Sequence, residues 1–360
     1  MDKSSILVTG IGQCGGKLAD LLKEFNSRYT VTYINSSLGD IKGLKHADID
    51  TNVLIYSGAD GSGRIREKGK KFFETDKSRV ATFINKNRQF KHSIIFSSFD
   101  GGTGSGSLIS YIKLLKQLIP TTTITVIGVL PKLKAELLNL ENAKQCLIEF
   151  EKEVSKLVDG LLLINNNKCS DSNYEQINLE AISMIDSFFG MTGHHDEGSI
   201  DNGNLDNVIT ASGYITLLKL PSENLAVRDA IRRAKENSIF ALPETLKCLY
   251  GAINVVQEQY NKDDICEKVK AKKTTYSTYN GKGMNLIALS GCNMPNEEIE
   301  DLIDTLNAKK EEDNDYEIEG FNIKDDNIPK EKPIQKENKV IFMDDEDIDA
   351  LLSNPNAFRF

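Results

Sequence analysis

The sequence predicts an α/β protein in which a parallel-sheet domain is joined by a long central helix to a smaller α+β domain. Short β-type runs alternate with helix-like segments from Ser5 to Ile164, and three of those runs lead straight into glycine-bearing loops. One long amphipathic segment, residues 173–189, then separates this region from a second one of different order. Such alternation reads as βαβ units around a parallel sheet covered by helices. With 360 residues, 39% of them hydrophobic and 27% charged, the chain is long enough for two cores and is not disordered as a whole.

The β-type runs are residues 6–9, 31–34, 53–56, 94–98, 124–130 and 160–164. Ligands of open α/β sheets sit outside the carboxyl ends of the strands, so function belongs in the loops that follow these runs. In the segment after them, Tyr174, Ile177, Ile182, Ile185 and Phe189 are spaced for one buried helix face. The second region is expected to hold a charged helix (residues 224–240), strands at 248–256 and 284–289, and a last helix at 296–306. The expected division is a sheet domain at 1–172, the central helix at 173–190, the α+β domain at 191–308 and a tail at 309–360. In the tail Glu, Asp, Lys, Asn and Pro dominate, with too few apolar side chains to offset the entropy of ordering. Its end, residues 344–352 and 356–360, regains apolar side chains beside acids and suits docking on a partner.

A net charge of −9 opposes direct binding to nucleic acid or to an anionic membrane, because phosphates meet a field of their own sign. Any role in handling DNA therefore calls for an adaptor. The six cysteines, Cys14, Cys146, Cys169, Cys248, Cys266 and Cys292, form no C-x-x-C pair and no signal-peptide pattern opens the chain, which predicts a reducing, cytoplasmic setting. Apolar stretches such as 157–164 fall short of the roughly 20 residues that span a bilayer, so no membrane anchor is expected. The neighbours His194, His195, Asp196 and Glu197 read as a polar loop, since consecutive side chains rarely converge on one metal ion. The basic run at 268–273 has no interleaved aromatics and reads as a solvated face.

The first glycine loop is Gly10-Ile11-Gly12-Gln13-Cys14-Gly15-Gly16, set between a strand and a helix. Glycines there let backbone N–H groups approach phosphate oxygens, and the helix dipole adds attraction. Alone it is also the dinucleotide fingerprint of an oxidoreductase. The second loop, Asp100-Gly101-Gly102-Thr103-Gly104-Ser105-Gly106-Ser107, makes a second anion site in the same sheet, which a dinucleotide fold does not need. That fold also wants an acid closing the second strand, where the sequence has Ile34-Asn35-Ser36, and a Walker loop would need Lys in place of Gly16. The third loop carries Ala59, Asp60, Gly61 and Ser62, with short side chains suited to the far end of a triphosphate.

With these segments in view, the chain resembles the tubulin/FtsZ superfamily. The signature GGGTG[ST]G stands here as Asp100-Gly101-Gly102-Thr103-Gly104-Ser105-Gly106, and Gly12-Gln13-Cys14-Gly15 is similar to tubulin's first nucleotide loop. The motifs span residues 6 to 306, and the pattern is nearest the TubZ group of plasmid and phage DNA-partition tubulins. The resemblance implies a GTP-binding domain with GTP or GDP across Gly12, Gln13 and Cys14, across Ala59 to Ser62, and across Gly101 to Gly106, with Mg²⁺ bridging the phosphates. It places the base on Tyr174 with Asn178 reading its edge, Asn166 at the sugar or base, and Glu136 at the ribose. It further implies head-to-tail filaments in which the loop after the central helix brings catalytic carboxylates to the next subunit.

That loop contains Asp201, Asn204 and Asp206, and two registers against the family's N-x-D-x-x-D remain open. One sets Asn204 and Asp206 on the first N-x-D. The other sets Asp201 and Asn204 on the two acids, with Asn204 capping the next helix and Leu205, Val208 and Ile209 on its apolar face; it favours Asp201 as the catalytic acid. The function implied is a GTP hydrolase whose filament moves a plasmid or phage genome through a DNA-binding adaptor. The alternatives are an FtsZ-like division polymer, a nucleotide-binding scaffold that does not hydrolyse, and a nicotinamide-dependent oxidoreductase. Asp100 and the loop after Pro131, where an aromatic, a Glu and an Arg are usual, depart from the FtsZ pattern.

Overall fold

Aliphatic and β-branched runs form one ten-stranded sheet in the computed structural model, which describes residues 2–168, 173–191, 193–194, 198–257, 259–280 and 283–314. The parallel part comprises β1 (Ile6–Ile11), β2 (Thr30–Asn35), β3 (Val53–Ile55), β4 (His92–Ser98), β5 (Thr123–Leu130) and β6 (Gly160–Asn165). β1, β4 and β6 are buried along their whole length, as strands covered on both faces must be. The helices between them are α1 (Gly12–Phe25), α2 (Leu38–Lys42), α3 (Arg66–Thr75), α4 (Lys77–Lys86), α5 (Thr103–Leu118) and α6 (Leu137–Glu153).

α7 (Tyr174–Phe189) follows, capped by Asn173, whose side chain accepts from the Gln176 amide at 3.2 Å. It buries Ile177, Ile182, Ile185 and Phe189 as its spacing predicts, but not Tyr174, which is 48% exposed at the helix start. The rest comprises the short pair β7 (Gly193–His194) and β8 (Ser199–Ile200), then α8 (Asn202–Ile209), β9 (Tyr214–Lys219) and α9 (Val227–Glu236). β10 (Cys248–Val256), α10 (Lys262–Lys268), β11 (Ala271–Tyr279), β12 (Leu286–Cys292) and α11 (Asn296–Asn314) complete it. α9 is shorter than the expected 224–240 because Phe240 leaves the helix to bridge Ile164 at the sheet.

The strand order is β11-β10-β12-β9-β6-β5-β4-β1-β2-β3. β9 joins β6 in parallel at Leu161 and Tyr214, so the strands of the second region continue the first sheet. The lysines at 268, 270, 272 and 273 are exposed, the last two on the edge strand β11, where charge discourages pairing with another chain. Residues 315–360, with the expected partner-binding end, lie outside the described residues, as do Cys169, His195, Asp196 and Glu197.

His92 ties β4 to the end of α7. Its ring meets Phe189 edge-on at 5.3 Å between centroids, and Nε2 lies 3.2 Å from Thr125 Oγ1. Burial alone lowers its pKa from 6.5 to about 3. Between those values the unfolded chain binds the proton and the folded chain does not, so this contribution is present above pH 6.5 and is lost as pH falls towards 3. His92→Gln is expected to flatten the dependence of urea-unfolding free energy on pH in this window, by up to about 1.4 kcal/mol per pH unit.

Candidate functional site

β1 has β2 on one side and β4 on the other, so the connections leaving β1 and β4 diverge and open a crevice above their carboxyl ends. A cleft of about 750 Å³ lies there. The glycine segments prove to be helix starts more than loops. α1 begins at Gly12, and α5 begins at Thr103 with Gly102 as its N-cap, so residues 12–16 and 103–106 are the first turns of two helices. First-turn N–H groups lack intrahelical acceptors and point outward, which makes each start an anion site. Gly12 has φ of 73°, and a Cβ there would stand 2.9 Å from the Gly104 amide nitrogen. The two helix starts are in direct contact.

Three buried hydroxyls lock the loops after β2, β3 and β4 together. Ser36 Oγ lies 2.6 Å from Thr103 Oγ1, which donates to Ser62 Oγ at 3.1 Å. Gln13 Nε2 donates to Asp40 Oδ1 at 3.0 Å, joining the start of α1 to α2. Burial, and then the nearby Asp100 carboxylate, push the Cys14 thiol up to about 12, so it stands beside the helix starts as a neutral S–H. Asp100 accepts from Ser98 Oγ and, at 3.0 Å, from Asn139 Nδ2.

The far wall comes from the loops after β5 and β6. Asn167 straps them: its Oδ1 accepts from the Leu133 amide at 2.6 Å and its Nδ2 donates to the Pro131 carbonyl at 3.2 Å. Tyr174 opens α7 at this wall, with the Lys132 ammonium 4.6 Å from its ring centroid.

Of the residues expected to bind nucleotide, Gly12, Gln13, Cys14, Gly61, Ser62, Gly101, Gly102, Thr103, Gly104, Glu136, Asn166 and Tyr174 line the cleft. Ala59, Asp60, Ser105, Gly106 and Asn178 do not. Ala59 packs half-buried on the core and Asp60 is exposed beside it. Ser105 and Gly106 are buried in α5 behind its first residues, and Asn178 stands one turn below Tyr174. Sequence reasoning passed over Ser36, Ser37 and Asp40 after β2, Arg64 after β3, and Lys132, Lys134 and Asn139 on the far wall. The only local signal for them was their place after a strand end.

Asp201, Asn204 and Asp206 are not brought to the cleft. Asp201, not Asn204, is the N-cap of α8: its Oδ1 accepts from the Asn204 amide at 2.7 Å, and α8 accordingly begins at Asn202. Leu205, Val208 and Ile209 form the buried face of α8 as their spacing predicts. The sixteen residues of α7 carry the chain away from the cleft by roughly 24 Å before this loop is reached.

The family model described as "Tubulin/FtsZ family, GTPase domain" matches residues 5–173. The chain is 28% identical over 308 residues to the tubulin-like protein TubZ of Clostridium botulinum C phage, covering 83% of this chain and 84% of that one. It is 29% identical over 333 residues to the tubulin-like protein CetZ of Pyrococcus abyssi, covering 84% and 89%. A GTPγS-form protofilament of Bacillus thuringiensis serovar israelensis TubZ shares the fold with a TM-score of 0.73 at 14% identity, over 86% of this chain and 92% of that one. Residues 5–173 are thus similar to the GTPase domain of the Tubulin/FtsZ family, and both touching helix starts at the switch point of the sheet lie within that stretch.

Proposed function

We propose that this GTPase stacks head to tail into cytoplasmic filaments, hydrolyses GTP at the junction between subunits, and through a DNA-binding adaptor segregates plasmid or phage DNA. The observation that supports it most is the separation of the two halves of the site. The nucleotide cleft stands at the start of α7 and the acid-bearing start of α8 follows its other end, so stacking one subunit on the next is what would unite them. Asp201 is the preferred acid and Asp206 the alternative; Asn204 supplies the amide that Asp201 holds. Tyr174 takes the base, Asn166 and Glu136 lie where the sugar would be, and the helix starts take the phosphates.

Among the described residues no three His, Cys, Asp or Glu side chains gather into a metal cage. Mg²⁺ does not require one, since it keeps several waters and binds through one or two carboxylates with substrate phosphates. Asp40 and Asp100 on the cleft wall fit that role, and the ion would supply charge neutralisation at the phosphates.

Likeness to a phage TubZ over most of the chain supports a filament-forming GTPase, segregation is the task that the resemblance to the TubZ group suggests for it, and the charge of −9 supports an adaptor as the DNA contact. The comparable likeness to an archaeal CetZ supports a second reading, a filament with another cargo. Loss of the replicon carrying the gene at an unchanged rate after the gene's deletion would leave the second reading standing. No described helix is long and apolar enough to cross a membrane.

Light scattering with GTP, a slowly hydrolysed analogue, GDP, ATP and NAD tests the assembly. GTP-specific scattering with phosphate release is expected, outlasted by that of the analogue; a response to NAD alone would reject the reading. Asp201→Asn keeps the cap, because Asn caps as well as Asp, and removes only the charge. It is expected to lower phosphate release by on the order of 100-fold or more while nucleotide binding persists. Loss confined to Asp206→Asn would transfer the role to Asp206. Tyr174→Ala is expected to weaken binding of fluorescent GDP by about 10-fold, the scale of one lost base stack.

A further inference from the structure

We infer that Arg64 is a phosphate-contacting residue that distinguishes GTP from GDP, its guanidinium exchanging Glu136 for the terminal phosphate when GTP occupies the cleft. This rests on the cleft being the GTP site. Arg64 is one of two non-glycine residues with positive φ among those described, at 62°, a conformation unfavourable for a long side chain unless its surroundings hold it there. They do. The Arg64 carbonyl accepts from Asn142 Nδ2 at 2.8 Å, and the same buried amide reaches the Asp100 carbonyl at 3.0 Å. A Cβ on Gly102, the N-cap of α5, would lie 2.7 Å from the Arg64 carbonyl carbon. The root of the arginine is therefore pinned directly against one of the two anion-binding helix starts.

The side chain leads into the cleft, where it pairs with Glu136 Oε2 at 2.8 Å, reaching from the loop after β3 to the residue before α6. Arg64 is 57% exposed in this pair and Glu136 72%, so water and salt screen it and it is readily exchanged. A terminal phosphate offers three oxygens and more charge than one carboxylate, and the planar guanidinium matches two of them at once. Lys132 and Lys134 also line the cleft, but they enter from the loop after β5, and Lys132 stands over the Tyr174 ring. GDP lacks the group that would draw Arg64 from Glu136, so the ion pair persists with GDP and opens with GTP.

The test compares affinities for GTPγS and GDP, by competition against a fluorescent guanine nucleotide, at protein concentrations below assembly. The proteins are the native chain, Arg64→Gly and Arg64→Lys. Glycine adopts φ of 62° without strain and keeps the carbonyl that Asn142 holds, so Arg64→Gly removes the guanidinium without disturbing the backbone. The preference for GTPγS over GDP is expected to fall at least tenfold in Arg64→Gly and to be restored in part by Arg64→Lys. An unchanged preference in Arg64→Gly overturns the inference, and so does an equal weakening of both nucleotides, which marks a structural role. A native chain that binds neither nucleotide would instead overturn the GTP reading beneath it.

Discussion

Two helix N-termini must occupy the same small space above the carboxyl ends of β1 and β4, and much of the molecule is arranged to permit it. The first turns of α1 and α5 bring unpaired N–H groups and positive dipole ends together, which is costly until an anion satisfies them. Side chains are absent where the two starts meet, at Gly12 and Gly104. Hydroxyls on Ser36, Thr103 and Ser62 hold the neighbouring loops in place from beneath. α3 is then clamped to α6 by Arg66, whose guanidinium meets both oxygens of Glu149 at 2.7 and 2.6 Å, with Lys70 adding a bond of 2.8 Å. The Arg66 bonds, supported by Lys70, hold the Glu149 pKa down at about 2. Breaking a pair this deeply set leaves a charge uncompensated, so the clamp fixes position more than it adds net stability.

The same economy extends through the sheet. Because β9 continues the sheet beyond β6, α7 packs on strands from both regions, and its buried face belongs to one apolar cluster with α1, α8, β9 and β12. Tyr174 at one end and Phe189 against His92 at the other are thus ends of a single packed rod. Close-packed interiors respond to displacement as units, since separating interdigitated side chains forfeits their contacts. The geometry of the cleft and that of the α8 start are therefore fixed relative to each other.

Sequence periodicity and glycine placement made much of this legible. The six parallel strands, the buried face of α7 and the apolar face of α8 were all carried by local spacing, which is what periodicity reports. The helix starts hidden in the glycine segments were not, because glycine is a poor helix former and reads as loop until tertiary contacts impose the turn. Tyr174 matched the period of a core residue, and only the position of the cleft shows why it is exposed. Asp201 and Asn204 are both good caps, and spacing favoured the wrong one; the choice fell to the path of the chain leaving β8. The hydroxyl chain and Arg64 depend on residues from loops distant in sequence, about which local pattern is silent.

Charge gives the site its remaining logic. Asp40, Asp100 and Glu136 already line the cleft before phosphates arrive, and a stacked subunit would add the carboxylates of Asp201 or Asp206. Like charges gathered there repel unless cations stand between them or water screens them. Helix dipoles contribute only about half a charge each, too little to balance a triphosphate and several acids. A bound triphosphate would therefore draw positive charge from the cleft's own Arg64, Lys132 and Lys134 before a second acidic surface could close on it. If subunits stack at this cleft as proposed, electrostatics would put nucleotide loading before stacking, and loss of the terminal phosphate would alter the balance at the shared surface.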